Sequence, residues 1–140
     1  IEELVQVQLE NEEWHAGEKT LRLLKRINQN RRQEKPDAWR KTVYEMVKAY
    51  LMLGKQGGIR GYYHVAESLP LIDDSLEMLV HSGSERDNWL TLKAALSYRA
   101  AKDAERLGQQ SYWASDPTTE DYMRYRRAVV LHLSAGINAL

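Results

Sequence analysis

The sequence has no cysteine and no phenylalanine, and it has only three prolines in 140 residues. Without cysteine the chain forms neither disulfides nor thiolate metal sites, which fits a reducing compartment and leads us to expect a cytoplasmic protein. No run of about 18 apolar residues occurs, and the first residues lack the pattern of a cleaved leader. We therefore expect no membrane span and no membrane partner.

The missing phenylalanine leaves four tryptophans and eight tyrosines to make every aromatic contact. Each of these side chains carries a polar group that needs a partner, so many are expected to be half-buried or to lie at an interface. Aromatic side chains of this kind are enriched where proteins bind proteins. The candidate partner-binding residues are Trp39, Tyr50, Tyr62, Tyr63 and Trp113.

What the sequence does contain is helical periodicity almost throughout, in a chain that is 43% apolar. Apolar residues recur at intervals of three and four from Trp14 onward. The segment Val5–Leu9 alternates like a strand, but a single strand has no partner in this chain, so it is assigned to the start of a helix. We predict one all-α domain over residues 1–140, with six or seven helices packed as antiparallel hairpins, TPR-like or bundle-like.

Proline, glycine and capping residues predict where these helices begin and end. Pro36-Asp37 separates two helices, and a later helix is expected to stop at Pro70. A short helix is predicted from Asp74 to about Ser82, and Ser84 with Asp87 resembles a capping box. Gly108 is expected to end the following helix, and Asp116-Pro117-Thr118 to open the last one.

Half of the eight glycines lie between Gly54 and Gly61. A phosphate-binding loop requires a preceding strand and a lysine and hydroxyl at fixed offsets, which this segment does not have. Gly57 and Gly58 are instead predicted to take left-handed conformations between two helices, and Gly61 to allow close backbone approach. An anion site that uses Arg60 is the alternative.

The same region, with Tyr50, Leu53-Gly54, Tyr63 and Ala66, resembles the inner half of a tetratricopeptide repeat. The resemblance covers about 30 residues, and no second copy follows at the family's period of about 34 residues. It departs from the family pattern at Val47 and Ile59. The resemblance implies stacked helical hairpins whose concave face binds a partner peptide.

Charge is zero overall but unevenly distributed. Residues 1–20 hold six acidic residues and one basic residue, whereas 21–48 are strongly basic and 73–90 are acidic. We expect the basic segment to pair with the acidic first segment across neighbouring helices. The alternative is a patch that binds RNA or DNA phosphates through Arg22, Lys25, Arg26, Arg31, Arg32, Lys35, Arg40 and Lys41.

Candidate chemistry is sparse. Glu12 and His15 have the Glu-x-x-His spacing found in di-metal helical bundles. Such bundles need a second Glu-x-x-His pair, and the sequence has none. His64 and His81 have acidic neighbours suited to local ion pairs, and His132 lies among leucines. We expect no catalytic residues, no metal and no cofactor.

The predicted function is a non-enzymatic helical interaction module that binds a protein through a groove between helices. A homodimer that covers the apolar residues of the last helix is also considered.

Overall fold

A computed structural model describes residues 1–114 and 120–140, except for the side chains of 111–114 and 121. Within that part the chain is all helical, as predicted. The helices are α1 (Glu2–Glu10), α2 (Trp14–Gln29), α3 (Pro36–Leu53), α4 (Gly58–Met78), α5 (Ser84–Ala114) and α6 (Glu120–Ala139), with a 3₁₀ turn at Gly54–Gln56 between α3 and α4.

Consecutive helices pack as antiparallel hairpins. In the α5–α6 pair, Gly108 lies against Tyr125 while Gly136 lies against Ser97, so position rises in one helix as it falls in the other. A Cβ atom at Gly108 or Gly136 would lie 3.2 Å from its neighbour. The two glycines therefore allow the backbones of α5 and α6 to approach closely.

The core consists of two clusters that share α3. One face of α3 contributes Trp39, Val43 and Val47 to a cluster with α4, α5 and α6. Its other face contributes Met46 and Tyr50 to a cluster with α1 and α2. Burial on both sides makes α3 the central helix of the domain.

Two predicted helix ends are wrong. Helix α4 continues through Pro70, although proline cannot donate the backbone hydrogen bond expected at that position. Ile72 and Ser75, one turn further on, are fully buried, and this packing favours continuing the helix. The separate helix predicted from Asp74 is therefore the end of α4, at Met78. Helix α5 likewise continues past Gly108, where the missing side chain makes room for α6.

The glycine turn between α3 and α4 is confirmed. Gly57 and Gly58 have φ angles of 75° and 63°, which residues with a side chain rarely adopt. A Cβ at Gly61 would lie 2.7 Å from the carbonyl oxygen of Gly54, so Gly61 permits the close approach predicted for it. Arg99 Nη2 donates to the same Gly54 carbonyl at 3.3 Å, which ties the turn to α5. The predicted start of the last helix, Asp116-Pro117-Thr118, lies outside the described residues.

Candidate functional site

A groove of about 490 Å³ lies between the first turns of α3 and α5, and we call it the α3–α5 groove. It combines aromatic, basic and acidic side chains from two helices that are far apart in sequence. Its lining residues are Asp37, Arg40, Lys41, Tyr44, Glu45, Glu85, Asn88 and Trp89.

An aromatic pair forms the apolar part of this groove. The rings of Tyr44 and Trp89 meet edge to face with centroids 5.8 Å apart. Trp89 is buried in the core, whereas Tyr44 is 42% exposed. Lys48 Nζ lies 4.8 Å from the centroid of the Tyr44 ring and also pairs with Glu45 at 3.3 Å. Tyr44 is thus an exposed ring that packs against the buried Trp89 ring.

Arg40 fixes one wall of the groove. Its guanidinium donates from Nε to Glu85 at 2.9 Å and from Nη2 to Asp37 at 2.6 Å. The hydrogen bond to Glu85 is the main cause that raises the pKa of Arg40, while burial opposes it. Because Arg40 is buried and Glu85 lies in the first turn of α5, this bridge joins α3 to the start of α5.

A second groove, of about 300 Å³, lies between α2 and α4 over the centre of α3, and we call it the α2–α4 groove. Arg32 lies over the Trp39 ring at 5.2 Å and reaches Asp74 at 3.5 Å. Asn28 donates from Nδ2 to the carbonyl oxygen of Trp39 at 3.2 Å. These contacts close the groove above Trp39.

The aromatic residues predicted to bind a partner are mostly part of the core. Trp39, Tyr50 and Tyr62 are buried, and Trp39 also lines the α2–α4 groove. Tyr63 is exposed beside Tyr62, with ring centroids 5.4 Å apart. The side chain of Trp113 lies outside the described residues.

Sequence reasoning missed Tyr44 as a surface residue. It lies one position after the core residue Val43 on α3, so it points away from the apolar stripe that contains Val43 and Val47. An aromatic residue outside the core stripe of a strongly periodic helix is the signal that would have identified it.

The basic cluster of residues 22–41 is divided among three surfaces. Lys25 and Arg32 line the α2–α4 groove, and Arg40 and Lys41 line the α3–α5 groove. Arg31 lies on a third surface beside the start of α1. Arg22, Arg26 and Lys35 are exposed. Five of the eight candidate bases therefore line three separate grooves.

The acidic partners of this cluster also differ from the prediction. Within the described part of the chain, Glu18 is the one acid of residues 1–20 that forms an ion pair with it, through Arg22 on the same helix. Arg32 instead pairs with Asp74 and, at 3.9 Å, with Glu77. One base of the segment, Arg22, therefore pairs with the first segment, whereas Arg32 and Arg40 pair with acids of α4 and α5.

Two histidines contact groups on other helices. His132 Nε2 lies 2.9 Å from the Tyr62 hydroxyl, and burial lowers the pKa of His132 and raises that of Tyr62. His64 Nε2 lies 3.7 Å from Glu18, and its ring stacks on Tyr50. Burial raises the pKa of Tyr50 to about 12. These pairs join helices within the fold.

Among the side chains that the structure describes, no three histidine, aspartate or glutamate residues are grouped so that they could hold a metal ion. No described helix has the length and apolar character needed to cross a bilayer. No family model, curated protein or solved structure matches the chain.

Proposed function

We propose that this chain is a non-enzymatic protein-interaction module and that the α3–α5 groove binds its partner. The observation that supports this function is the exposed Tyr44 ring, held against buried Trp89 beside the anchored Arg40. Tyr44 is the exposed aromatic residue of this concave surface, and tyrosine is among the residues that contribute most to protein–protein affinity.

The charge of the groove indicates the kind of segment it accepts. Three acids and two bases line it, and Arg40 is already paired with Asp37 and Glu85. Lys48 at the edge neutralises Glu45. With its charges largely balanced internally, the groove favours a protein segment that places a large apolar side chain against Tyr44, with polar groups reaching Lys41 and Asn88.

The nucleic-acid alternative has no such observation in its favour. Five of its eight candidate bases line three separate grooves, and Arg32 and Arg40 are engaged with carboxylates. A phosphate backbone binds best to a continuous basic surface. We therefore propose protein binding and test nucleic-acid binding separately below.

The experiment compares two exposed tyrosines that each lie under a lysine. Tyr44 lies under Lys48, and Tyr98 on α5 lies under Lys102 at 5.6 Å. Peptides are selected from a displayed random library on the wild-type chain, and their affinities are measured by calorimetry against Tyr44→Ala and Tyr98→Ala. We expect Tyr44→Ala to weaken binding by at least about tenfold, as for an interface anchor. Peptides that lose equal affinity in both variants, or in neither, would contradict the proposal.

A further inference from the structure

Helix α6 exposes an apolar face that no described part of the chain covers. It packs on α5 through Tyr125, Gly136 and Ala139, which are buried. The opposite side of the helix exposes 63% of Val130, 70% of Leu131 and 68% of Ile137. Three such side chains within two helical turns form a continuous apolar surface of the kind that marks an interaction site.

The same face is basic toward the start of the helix. Arg126 and Arg127 are exposed and form no ion pair within the described residues. Helix α6 contains three arginines against two acids, Glu120 and Asp121, so its net charge is +1. An occupant of this face therefore needs apolar side chains together with negative charge.

Helix α1 has those two properties. It buries Val5 and Leu9 against α2 and α3, while Leu4 is 50% exposed and Val7 is 52% exposed. Glu3 and Glu10 lie one helical turn from Val7 on either side, so they flank this apolar pair. Residues 1–13 contain five acids and no base.

Helices α1 and α6 pack on different helices of the fold. Helix α1 packs on α2 and α3, whereas α6 packs on α5 and reaches α4 through the bond between His132 and Tyr62. Arg31 lines a groove with Glu2 and Glu3, and Lys48 lines another with Glu2, but two bases against five acids leave the α1 end negative. One chain therefore presents an acidic apolar face and a basic apolar face on different helices.

We propose that copies of this chain associate head to tail, with the outer face of α6 in one copy docking on α1 of the next. Pairing two α6 faces would bring the exposed Arg126 and Arg127 of both copies together, and pairing two α1 faces would bring together only acids along the helices. Docking α6 on α1 places Arg126 and Arg127 near Glu3 and Glu10 while covering the apolar residues of both faces. The α3–α5 groove has no part in this contact.

A head-to-tail contact leaves one unused face at each end, so assembly continues into a ring or a filament. Sedimentation velocity of the wild-type chain at rising concentration is expected to show species larger than a dimer. Raising the salt concentration weakens the charged part of the contact and shifts the distribution toward smaller species.

Two paired variants distinguish this contact from the alternatives. Leu4→Gln with Val7→Gln removes the apolar α1 face, and Leu131→Gln with Ile137→Gln removes the α6 face. Each variant alone is expected to be monomeric, and an equimolar mixture is expected to form a 1:1 dimer that grows no further. Ile59→Gln, at an exposed apolar position on α4, is the control and should assemble like the wild type.

The alternatives predict different results. If α6 pairs with α6, the α1 variant still dimerises and the mixture forms no new species, which overturns the proposal. A wild-type chain that stays monomeric at all concentrations also overturns it, whether or not it binds anionic vesicles through α6. Circular dichroism checks that each variant is helical. If a paired variant is unfolded, Arg127→Glu provides the second test and should reduce the average assembly size several-fold.

Discussion

The hydroxyl of Tyr62 on α4 lies 2.9 Å from Nε2 of His132 on α6, across 70 residues of sequence. The Tyr62 ring also meets Tyr125 edge to face at 6.4 Å. Tyr62 therefore connects α4 to the last helix, which otherwise packs on α5.

From this contact we predict that the free energy of unfolding decreases in mild acid. Burial lowers the pKa of His132 below its usual 6.5, so between the two pKa values the unfolded chain binds a proton that the folded chain does not. The contribution of neutral His132 to the free energy of unfolding is complete above pH 6.5. It decreases as the pH falls through 6.5 and changes no further below the pKa of His132 in the folded chain. Urea unfolding at pH 7.5 and 5.5 should show this loss in the wild type and a smaller loss in His132→Gln.

His15→Gln is the control, because His15 is an exposed histidine on α2, away from the contact between Tyr62 and His132. Tyr62→Phe keeps the ring and removes the hydroxyl, at a cost of about 1 kcal/mol for a lost hydrogen bond. An identical pH dependence in wild type and His132→Gln would contradict the assignment to His132.

Glycine-to-alanine substitutions in the turn between α3 and α4 are expected to lower stability for two different reasons. At Gly57 or Gly58 no atom lies within 4 Å of an added Cβ, so alanine is unfavourable only through its positive φ, by about 1 kcal/mol or more. At Gly61 the added Cβ would lie 2.7 Å from the Gly54 carbonyl oxygen, so we expect a larger loss. Thermal unfolding measures both.

Gly83→Ala is the matched control for these variants, since that site has open space and no positive φ. Its free energy of unfolding should stay within about 0.5 kcal/mol of the wild type. Equal stability in Gly57→Ala, Gly58→Ala and Gly83→Ala would show that the positive φ angles are not required.

Neighbouring arginines at 31 and 32 should differ in their effect on stability. Arg32 lies over Trp39 and reaches Asp74, so Arg32→Gln should cost about 1 kcal/mol, a sum of modest cation–π and exposed ion-pair contributions. Arg31 is exposed, and Arg31→Gln should be close to neutral. Urea unfolding measures the difference.

The double variant of these two arginines also tests the nucleic-acid alternative. We expect no micromolar, salt-sensitive binding of RNA or DNA by the wild type, because the basic residues face separate surfaces. Fluorescence anisotropy that detects such binding, and its loss in the double variant, would reverse this expectation in favour of a nucleic-acid function.

Arg40 cannot be replaced by lysine without loss. Its planar guanidinium reaches Asp37 and Glu85 at the same time, whereas an ammonium group presents a single point of charge. Arg40→Lys should lower the free energy of unfolding by about 1 to 2 kcal/mol. Lys41→Arg, at the exposed neighbouring position, is the control and should be neutral. Equal stability in the two variants would contradict the bridging role.

Helical periodicity predicted the all-α chain, and local signals predicted three helix limits correctly, at Pro36, Ser84 and the Gly57-Gly58 turn. Pro36, Ser84 and the Gly57-Gly58 turn act on the nearest few residues, so their effects can be read from the sequence alone. The helix ends predicted at Pro70 and Gly108 were wrong because packing against distant segments decides the structure there. Their local preference to end a helix is weaker than the burial of Ile72 in one case and the approach of α6 in the other.

The candidate site depended on tertiary structure to a greater degree. The sequence supplied the aromatic and charged residues, but it could not tell that Tyr50 and Tyr62 are buried while Tyr44 is exposed. Nor could it assign Arg40 to Glu85, 45 residues away, in place of an acid in the first segment.

The sequence by itself determined an all-helical chain, its glycine turn and its uneven charge, because helix formation depends on contacts between residues three or four apart. The tertiary structure decided which charges pair, which aromatic rings reach the surface and which helix faces remain uncovered. Those outcomes depend on how whole helices pack, where burial of side chains from distant segments outweighs local preference.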